Sequence, residues 1–247
     1  GSRACANGRA SLDAANLPGH VSVIDKIVAS TYEAVAGIKD GMTILLGGFT
    51  DAGAPQELLL AVLDMGIQDL LFVHNGAGYG DTSLAKMIKA KRVRKVICSF
   101  PGGPQNQVLR EALERNELEL EVCPQGTMVE RVRAAGAGLG GVLTKVGLGT
   151  ELTAGKPVYE LDGQEYVVER PIHGDFAMIR AHKADPQGNL QYRFAQQNFN
   201  VMFATAARIT AVQTDYVVGV GDMDPQFVHT PGIFVHRVVQ IDRGVYK

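Results

Sequence analysis

Met42-Thr-Ile-Leu-Leu46 is a short apolar run that breaks directly into Gly47-Gly48-Phe49-Thr50-Asp51-Ala52-Gly53-Ala54-Pro55. A run of that length without polar alternation predicts a strand buried on both faces. The glycines predict a loop, and Pro55, with its fixed φ, suits the first turn of a helix carrying Leu58, Leu59, Val62 and Leu63 until Gly66 stops it. Strand, glycine elbow and helix make one βα unit, and the pattern recurs. Asp69–Val73 reads as a strand, His74–Gly80 as a loop, and Leu84, Met87 and Ile88 mark a helix. Val93–Ser99 is a third strand, Pro104–Asn116 a helix, Leu118–Val122 a strand, Cys123–Gly126 a loop and Thr127–Ala135 a helix. Upstream, an amphipathic helix is expected over Val28–Ile38, turning at Lys39-Asp40-Gly41. Short apolar strands alternating with helices predict an α/β fold. It should be a mostly parallel open sheet with helices on both faces and its glycine-rich loops at the strand C-terminal edge.

Beyond Gly136 the reading is less regular. Gly136–Leu161 is glycine-rich and reads as irregular structure. Tyr166–Val168 and Phe176–Ala181 resume as strands, followed by a helix at Val201–Ala207, a strand at Ile209–Val212 and a further segment, Val217-Val-Gly-Val220. No repeat or linker divides the chain, so residues 24–240 are expected to form a single domain. Residues 1–23 open with Gly-Ser and lack periodicity, which suits an expression tag or a disordered tail, and residues 241–247 read as a C-terminal tail.

The composition narrows the classes of function. Among 247 residues, 24 Lys+Arg face 26 Asp+Glu, which argues against a nucleic-acid or anionic-membrane partner. Cys5, Cys98 and Cys123 are odd in number and lack CxxC spacing, so neither a disulfide framework nor a zinc cluster is expected. That cysteine usage suits a reducing compartment. No window approaches the roughly 18 apolar residues of a membrane span, so a cytoplasmic location is expected.

Several constellations carry no chemistry. Gly136-Ala-Gly138-Leu-Gly-Gly141 formally satisfies GxGxxG, but a helix precedes it and Val142-Leu143 follows, whereas a dinucleotide fingerprint needs a strand before and a helix after. No P-loop, HExxH or GxSxG sequence occurs. None of the six histidines has a second ligand at metal spacing, and His74 stands out only because it abuts a glycine loop. The cationic run from Lys86 to Lys95 reads as a solvated helix end, and Glu111 to Glu121 as exposed faces.

What remains are three polar glycine loops, each after a predicted parallel strand: Gly47-Gly48-Phe49, Asn75-Gly76-Ala77-Gly78 and Gln125-Gly126-Thr127. If they share one edge, their backbone N–H groups and two side-chain amides form a cleft for an anionic or acyl oxygen, whether carboxylate, thioester carbonyl or phosphate. Asn and Gln donate hydrogen bonds to developing negative charge without neutralising it.

Asp40-Gly41-Met-Thr-Ile-Leu-Leu-Gly47-Gly48-Phe49-Thr-Asp-Ala-Gly53-Ala-Pro55 resembles the first signature of the 3-oxoacid CoA-transferases, in their A (alpha) subunit. Val73-His74-Asn75-Gly76-Ala77-Gly78 is similar to the family's Ser-Asn-Asn-Ala-Gly loop, and Pro124-Gln125-Gly126-Thr127-Met-Val-Glu130-Arg131 to its Pro-Gln-Gly-Thr block. Gly147-Leu-Gly149-Thr150, Gly174-Asp175-Phe176, Asn198-Phe199-Asn200 and His229-Thr230-Pro231-Gly232 keep the family order, so the resemblance spans about Ile24 to Val239.

The resemblance implies transfer of CoA from succinyl-CoA to a 3-oxo acid, with CoA as co-substrate and no permanently bound cofactor or metal. It implies that the nucleophile is a glutamate of a Ser-Glu-Asn-Gly motif on a separate beta chain. This chain lacks that motif, which leaves it no catalytic nucleophile of its own and implies a partner, the beta chain, in an A2B2 heterotetramer. Carried over residue by residue, Asn75 and Gln125 line the acyl pocket with Gly76, Gly78 and Gly126. Gly47, Gly48, Phe49 and Gly53 shape the cleft, with Phe49 against the acyl chain. His74 stands for the usual Ser, Gly76 for the second Asn, Lys145 within Thr144-Lys145-Val146 for Thr-Pro-Thr, and Gln197 for Arg. Cys98-Ser99-Phe100-Pro101 is closer to the 3-oxoadipate transferases than to those of acetoacetate, and Lys145 offers a cation for a second carboxylate. Two other readings stay open: a non-catalytic acyl-CoA sensor, and a CoA-ester hydrolase using Glu57 or Asp51.

Overall fold

A computed structural model describes residues 24–103 and 106–241. The expectations for residues 1–23, for 242–247 and for a helix start at Pro104 lie outside the described residues. The main sheet has eight strands. Seven run in the order β11-β10-β8-β1-β2-β3-β4, where β1 is Thr43–Leu46, β2 Leu70–Gly76, β3 Val93–Phe100, β4 Glu119–Val122, β8 Gly174–Ala184, β10 Ala207–Val217 and β11 Arg237–Gln240. All six pairings along this path are parallel, and the eighth strand, β9 (Leu190–Gln191), returns antiparallel on β8.

Alternation along the strands divides the core in two. Ile44, Leu46, Phe72, Val96 and Met178 face one layer of helices: α1 (Thr31–Ala34), α2 (Gln56–Asp64), α3 (Ser83–Lys89) and α4 (Gln107–Glu114). Leu45, Val73, Ile97, Ala177 and Ile179 face the other: α5 (Gln125–Gly136) and α6 (Phe199–Thr205). The expected parallel sheet with helices on both faces is therefore present. Phe72, Phe176 and Phe203 are fully enclosed, each contributing about 2–3 kcal/mol of burial.

The differences from expectation have local causes. The first helix closes only Thr31–Ala34, capped by Ser30, because Gly37 at φ +94° ends the helical path before Ile38. Gly136–Leu161 is not wholly irregular: β5 (Val142–Thr144) and β6 (Val158–Leu161) flank β7 (Gln164–Glu169) in a small antiparallel sheet. The residues of β5 and β6 are largely exposed, so no apolar run advertises those two strands. Val218 to Val220 lie beyond the end of β10, and the edge strand β11 has no separate signal in the sequence.

The two borders of the sheet differ. Beyond β11, the backbone of Lys26 and Val28 exchanges hydrogen bonds with Val238. At the other border, Glu119 and Glu121 of β4 reach back to Lys95 of β3 at 2.7 and 3.0 Å.

Candidate active site

The loop after β1 is built by close approach. Phe49 and Ala52 exchange backbone hydrogen bonds across a tight turn, with Thr50 at φ +52°. A Cβ on Gly48, whose φ is +108°, would lie 2.8 Å from Ala54 Cα. The turn is tied down by α6: Asn198, its N-cap, donates from Nδ2 to Ala52 O at 2.8 Å, and fully buried Asn200 donates to Gly53 O and Gln196 O at 3.0 and 2.9 Å. Phe49 stacks on Phe199 at 6.4 Å between ring centroids, so its ring is committed in part to α6. The Asn-Phe-Asn sequence supplies this clamp, and only its place in the family order is legible from the sequence.

Asn75 and Gly76 belong to β2 rather than to a loop, because the ladder with β3 continues to Gly76↔Phe100. Val73 and Ile97 face α5, so Asn75 and Ser99, each two residues further on, share that face. The Asn75 side chain is buried and donates from Nδ2 to Ser99 Oγ at 2.9 Å, while Ser99 Oγ donates to Asn75 O at 3.1 Å. Gln125 and Gly126 are likewise not loop residues. They form the exposed first turn of α5, immediately after β4 and Cys123-Pro124. Pro124 caps this helix without a side-chain hydrogen bond, so the first-turn N–H groups point outward unclaimed by a cap. Among the described residues, Thr127 Oγ1 is buried there without a partner, and a Cβ on Gly126 would meet nothing within 4 Å beyond its chain neighbours and its own helix backbone. Asn75 and the α5 start thus occupy the same edge of the sheet and the same face.

On the opposite face of that edge lies a cleft of about 560 Å³ between the ends of β1, β2 and β3. Leu46, Leu59, Ala77, Leu84, Phe100 and Pro101 give it apolar walls, and Gly76 and Gly78 line it as expected. Asn75, Gln125, Gly126, Gly47, Gly48, Phe49 and Gly53 do not line it. The β1 loop shapes it instead through Thr50, Asp51, Ala54 and Pro55. His74 forms part of the wall. Its Nδ1 lies 2.8 Å from Leu46 O, so Nδ1 carries the proton and Nε2 is the lone-pair nitrogen. Burial lowers the His74 pKa, outweighing the bond to Leu46 and the charge of Asp51. The ring is therefore neutral at pH 7. Among the described residues, no Lys or Arg lines the cleft.

The other candidates lie apart. Lys145 follows β5 in the small sheet, exposed and outside the cleft. Glu57 sits in the first turn of α2, its carboxylate accepting from Gln213 Nε2. Burial pushes the Cys98 thiol up to about 12 and raises that of Cys123, so neither is a ready nucleophile. No cluster of metal-ligating side chains occurs, and no helix is long and apolar enough to cross a membrane, among the described residues.

Comparison with known proteins gives a consistent answer. The chain is 47% identical over 219 residues to the alpha subunit of the 3-oxoadipate CoA-transferase of Pseudomonas putida, covering 89% of this chain and 95% of that protein. It is 41% identical to the alpha subunit of a probable succinyl-CoA:3-ketoacid coenzyme A transferase of Bacillus subtilis, covering 87% and 89%. Its fold is similar to that of the glutaconate coenzyme A-transferase from Acidaminococcus fermentans, with a TM-score of 0.77 and 23% identity over 90% of this chain and 77% of the other. Residues 28–240 match the model of the coenzyme A transferases. A mostly parallel sheet with helices on both faces, matched along nearly its whole length by relatives of that kind, places the chain in the coenzyme A transferase family.

Proposed function

We propose that this chain is the alpha subunit of a two-chain transferase that moves CoA from succinyl-CoA to a 3-oxo acid, with 3-oxoadipate favoured over acetoacetate. The observation that carries the reading is the placement of Asn75, at the end of β2, and of the uncapped start of α5 at Gln125-Gly126, after β4, at one edge of the sheet and on one face. Such donors are matched to the oxyanion that forms when a thioester carbonyl is attacked. The attacking carboxylate comes from a glutamate of the beta subunit. It displaces CoA thiolate to give an acyl anhydride, and the thiolate then attacks the glutamyl carbonyl, releasing succinate and leaving a glutamyl-CoA thioester. The incoming carboxylate repeats the two steps in reverse. Each step passes through a tetrahedral oxyanion that the same donors stabilise.

Two features support the partner and the acceptor. Phe49, Tyr79, Phe100 and Phe194 remain exposed around this edge, Phe194 at 84%, as suits a face that another chain covers. The relatives of Pseudomonas putida and Acinetobacter baylyi, each 47% identical, are both named as 3-oxoadipate CoA-transferases. The cation-free cleft beside the edge suits an uncharged chain, so the second carboxylate of a dicarboxylic acceptor is met outside it.

The test is reconstitution. The chain alone should release no CoA and transfer none. Co-expressed with its beta subunit and supplied with succinyl-CoA, it should form 3-oxoadipyl-CoA faster than acetoacetyl-CoA. CoA exchange by the isolated chain would refute the two-chain reading, and a preference for acetoacetate would reverse the assigned acceptor.

A further inference from the structure

We propose that Ser99 is the positioning residue that fixes which way the Asn75 amide faces. The inference rests on the reading of Asn75 as an oxyanion donor and adds the group that makes it one.

What each atom is able to do sets the orientation. Asn75 O is a carbonyl and only accepts, so at 3.1 Å the Ser99 hydroxyl proton is directed to it. The Ser99 oxygen is then left with lone pairs alone. An oxygen placed 2.9 Å away would meet them lone pair to lone pair, whereas the amide nitrogen brings an N–H. With the nitrogen on the Ser99 side the pair makes two hydrogen bonds, whereas a reversed amide could be met only by turning the hydroxyl proton away from Asn75 O, and this difference holds the amide in the orientation seen. That nitrogen carries a second N–H, which diverges from the bond to Ser99. Without the hydroxyl, the two ends of the amide are of similar size and the difference is gone. A reversed amide offers Oδ1, an acceptor, where a negatively charged oxygen forms, which opposes the charge instead of stabilising it.

The pairing is also well sheltered. Asn75 is 2% exposed and Ser99 half-buried, so bulk water competes weakly for either group. Both lie on central strands in direct register, which holds the donor in place before substrate arrives.

The experiment uses the complex with the beta subunit and compares Ser99→Ala, Ser99→Thr, Asn75→Ala and the double variant Ser99→Ala/Asn75→Ala. Loss of one oxyanion donor costs about a hundredfold in kcat, so Ser99→Ala should lower kcat by about tenfold or more, with KM within about twofold. Ser99→Thr keeps a hydroxyl and should restore most of the rate. In the Asn75→Ala background, removal of the hydroxyl should cost nothing further. Thermal unfolding of each variant separates misfolding from a rate effect, and the Thr variant keeps the test open if the Ala variant is unstable. Full kcat in Ser99→Ala while Asn75→Ala is crippled would overturn the positioning role alone, as would equal losses in both backgrounds. Full kcat in Asn75→Ala would remove the donor reading and this inference with it.

Discussion

Gly47 and Asn200 occupy each other's space: a Cβ on Gly47 would stand 1.8 Å from Asn200 Oδ1. Asn200 is fully buried and holds Arg180 N, Gly53 O and Gln196 O, so it has no free direction in which to withdraw. The end of β1 and the start of α6 are thereby joined through the one residue type that fits.

Gly47→Ala should therefore displace Asn200 and release the β1 loop. Overpacking of this kind costs about 1–3 kcal/mol, with the lost hydrogen bonds adding to it. Urea denaturation should show a lower midpoint with an unchanged slope, and an unaltered midpoint would mean that Asn200 moves aside freely.

Asn75→Ala and Gln125→Ala should impair turnover far more than folding. Each removes a donor, and about a hundredfold loss in kcat is expected in the complex with the beta subunit. Gln125 is exposed and its truncation should leave thermal stability within about 0.5 kcal/mol. Asn75 is buried against Ser99 and should cost about 1 kcal/mol more. Full activity in either variant would remove that residue from the site.

His74 links stability to acidity. Burial lowers its pKa below the ordinary 6.5, so in mildly acidic solution the unfolded chain binds a proton that the folded chain refuses. Its contribution is complete above about pH 6.5 and is lost as the pH falls below that value. His74→Gln, which keeps a donor for Leu46 O, should flatten the dependence between about pH 7 and 5. His236, lowered by burial with Lys26 and Arg237 nearby, should retain a residual slope. An identical pH profile in the variant would mean that the ring is not the group responsible.

Arg131 fastens the small sheet to the large one. It reaches Glu121 of β4 at 2.9 Å, Arg170 O at 2.9 Å and Glu169 of β7 at 3.6 Å, while Lys156 holds Glu169 at 2.6 Å. Glu169 is 3% exposed, so removal of one partner leaves a poorly compensated buried charge. Arg131→Leu should cost about 3 kcal/mol and speed proteolysis between β5 and β7. Arg131→Leu/Glu169→Leu should recover part of that loss, and its failure to do so would assign the cost to packing.

The sequence is most legible where one physical signal dominates. Met42–Leu46 and Val93–Ser99 are apolar over most of their length because helices cover both faces, and this makes the parallel sheet readable. The proposed donors Asn75 and Gln125 are picked out by their neighbouring glycines, but their secondary structure differs from what those glycines suggest. Glycine points to a turn, whereas ladder pairing with β3 keeps Asn75-Gly76 extended and Pro124 starts α5 two residues earlier than its first buried side chain. The role of Asn200 lies beyond reach, since a contact between residues 47 and 200 leaves no local pattern. The same holds for Ser99, which carries no signal until β2 and β3 are placed in register.

The two borders of the main sheet bear on how the chain behaves when produced without company. One is already occupied by the backbone of Lys26 to Val28, and the other is the short strand β4, lined by the charged and ion-paired Glu119 and Glu121, which a second strand would have to desolvate in order to pair. Sideways stacking of copies into fibres is thereby discouraged during recombinant expression, and any assembly is steered towards the ends of the strands.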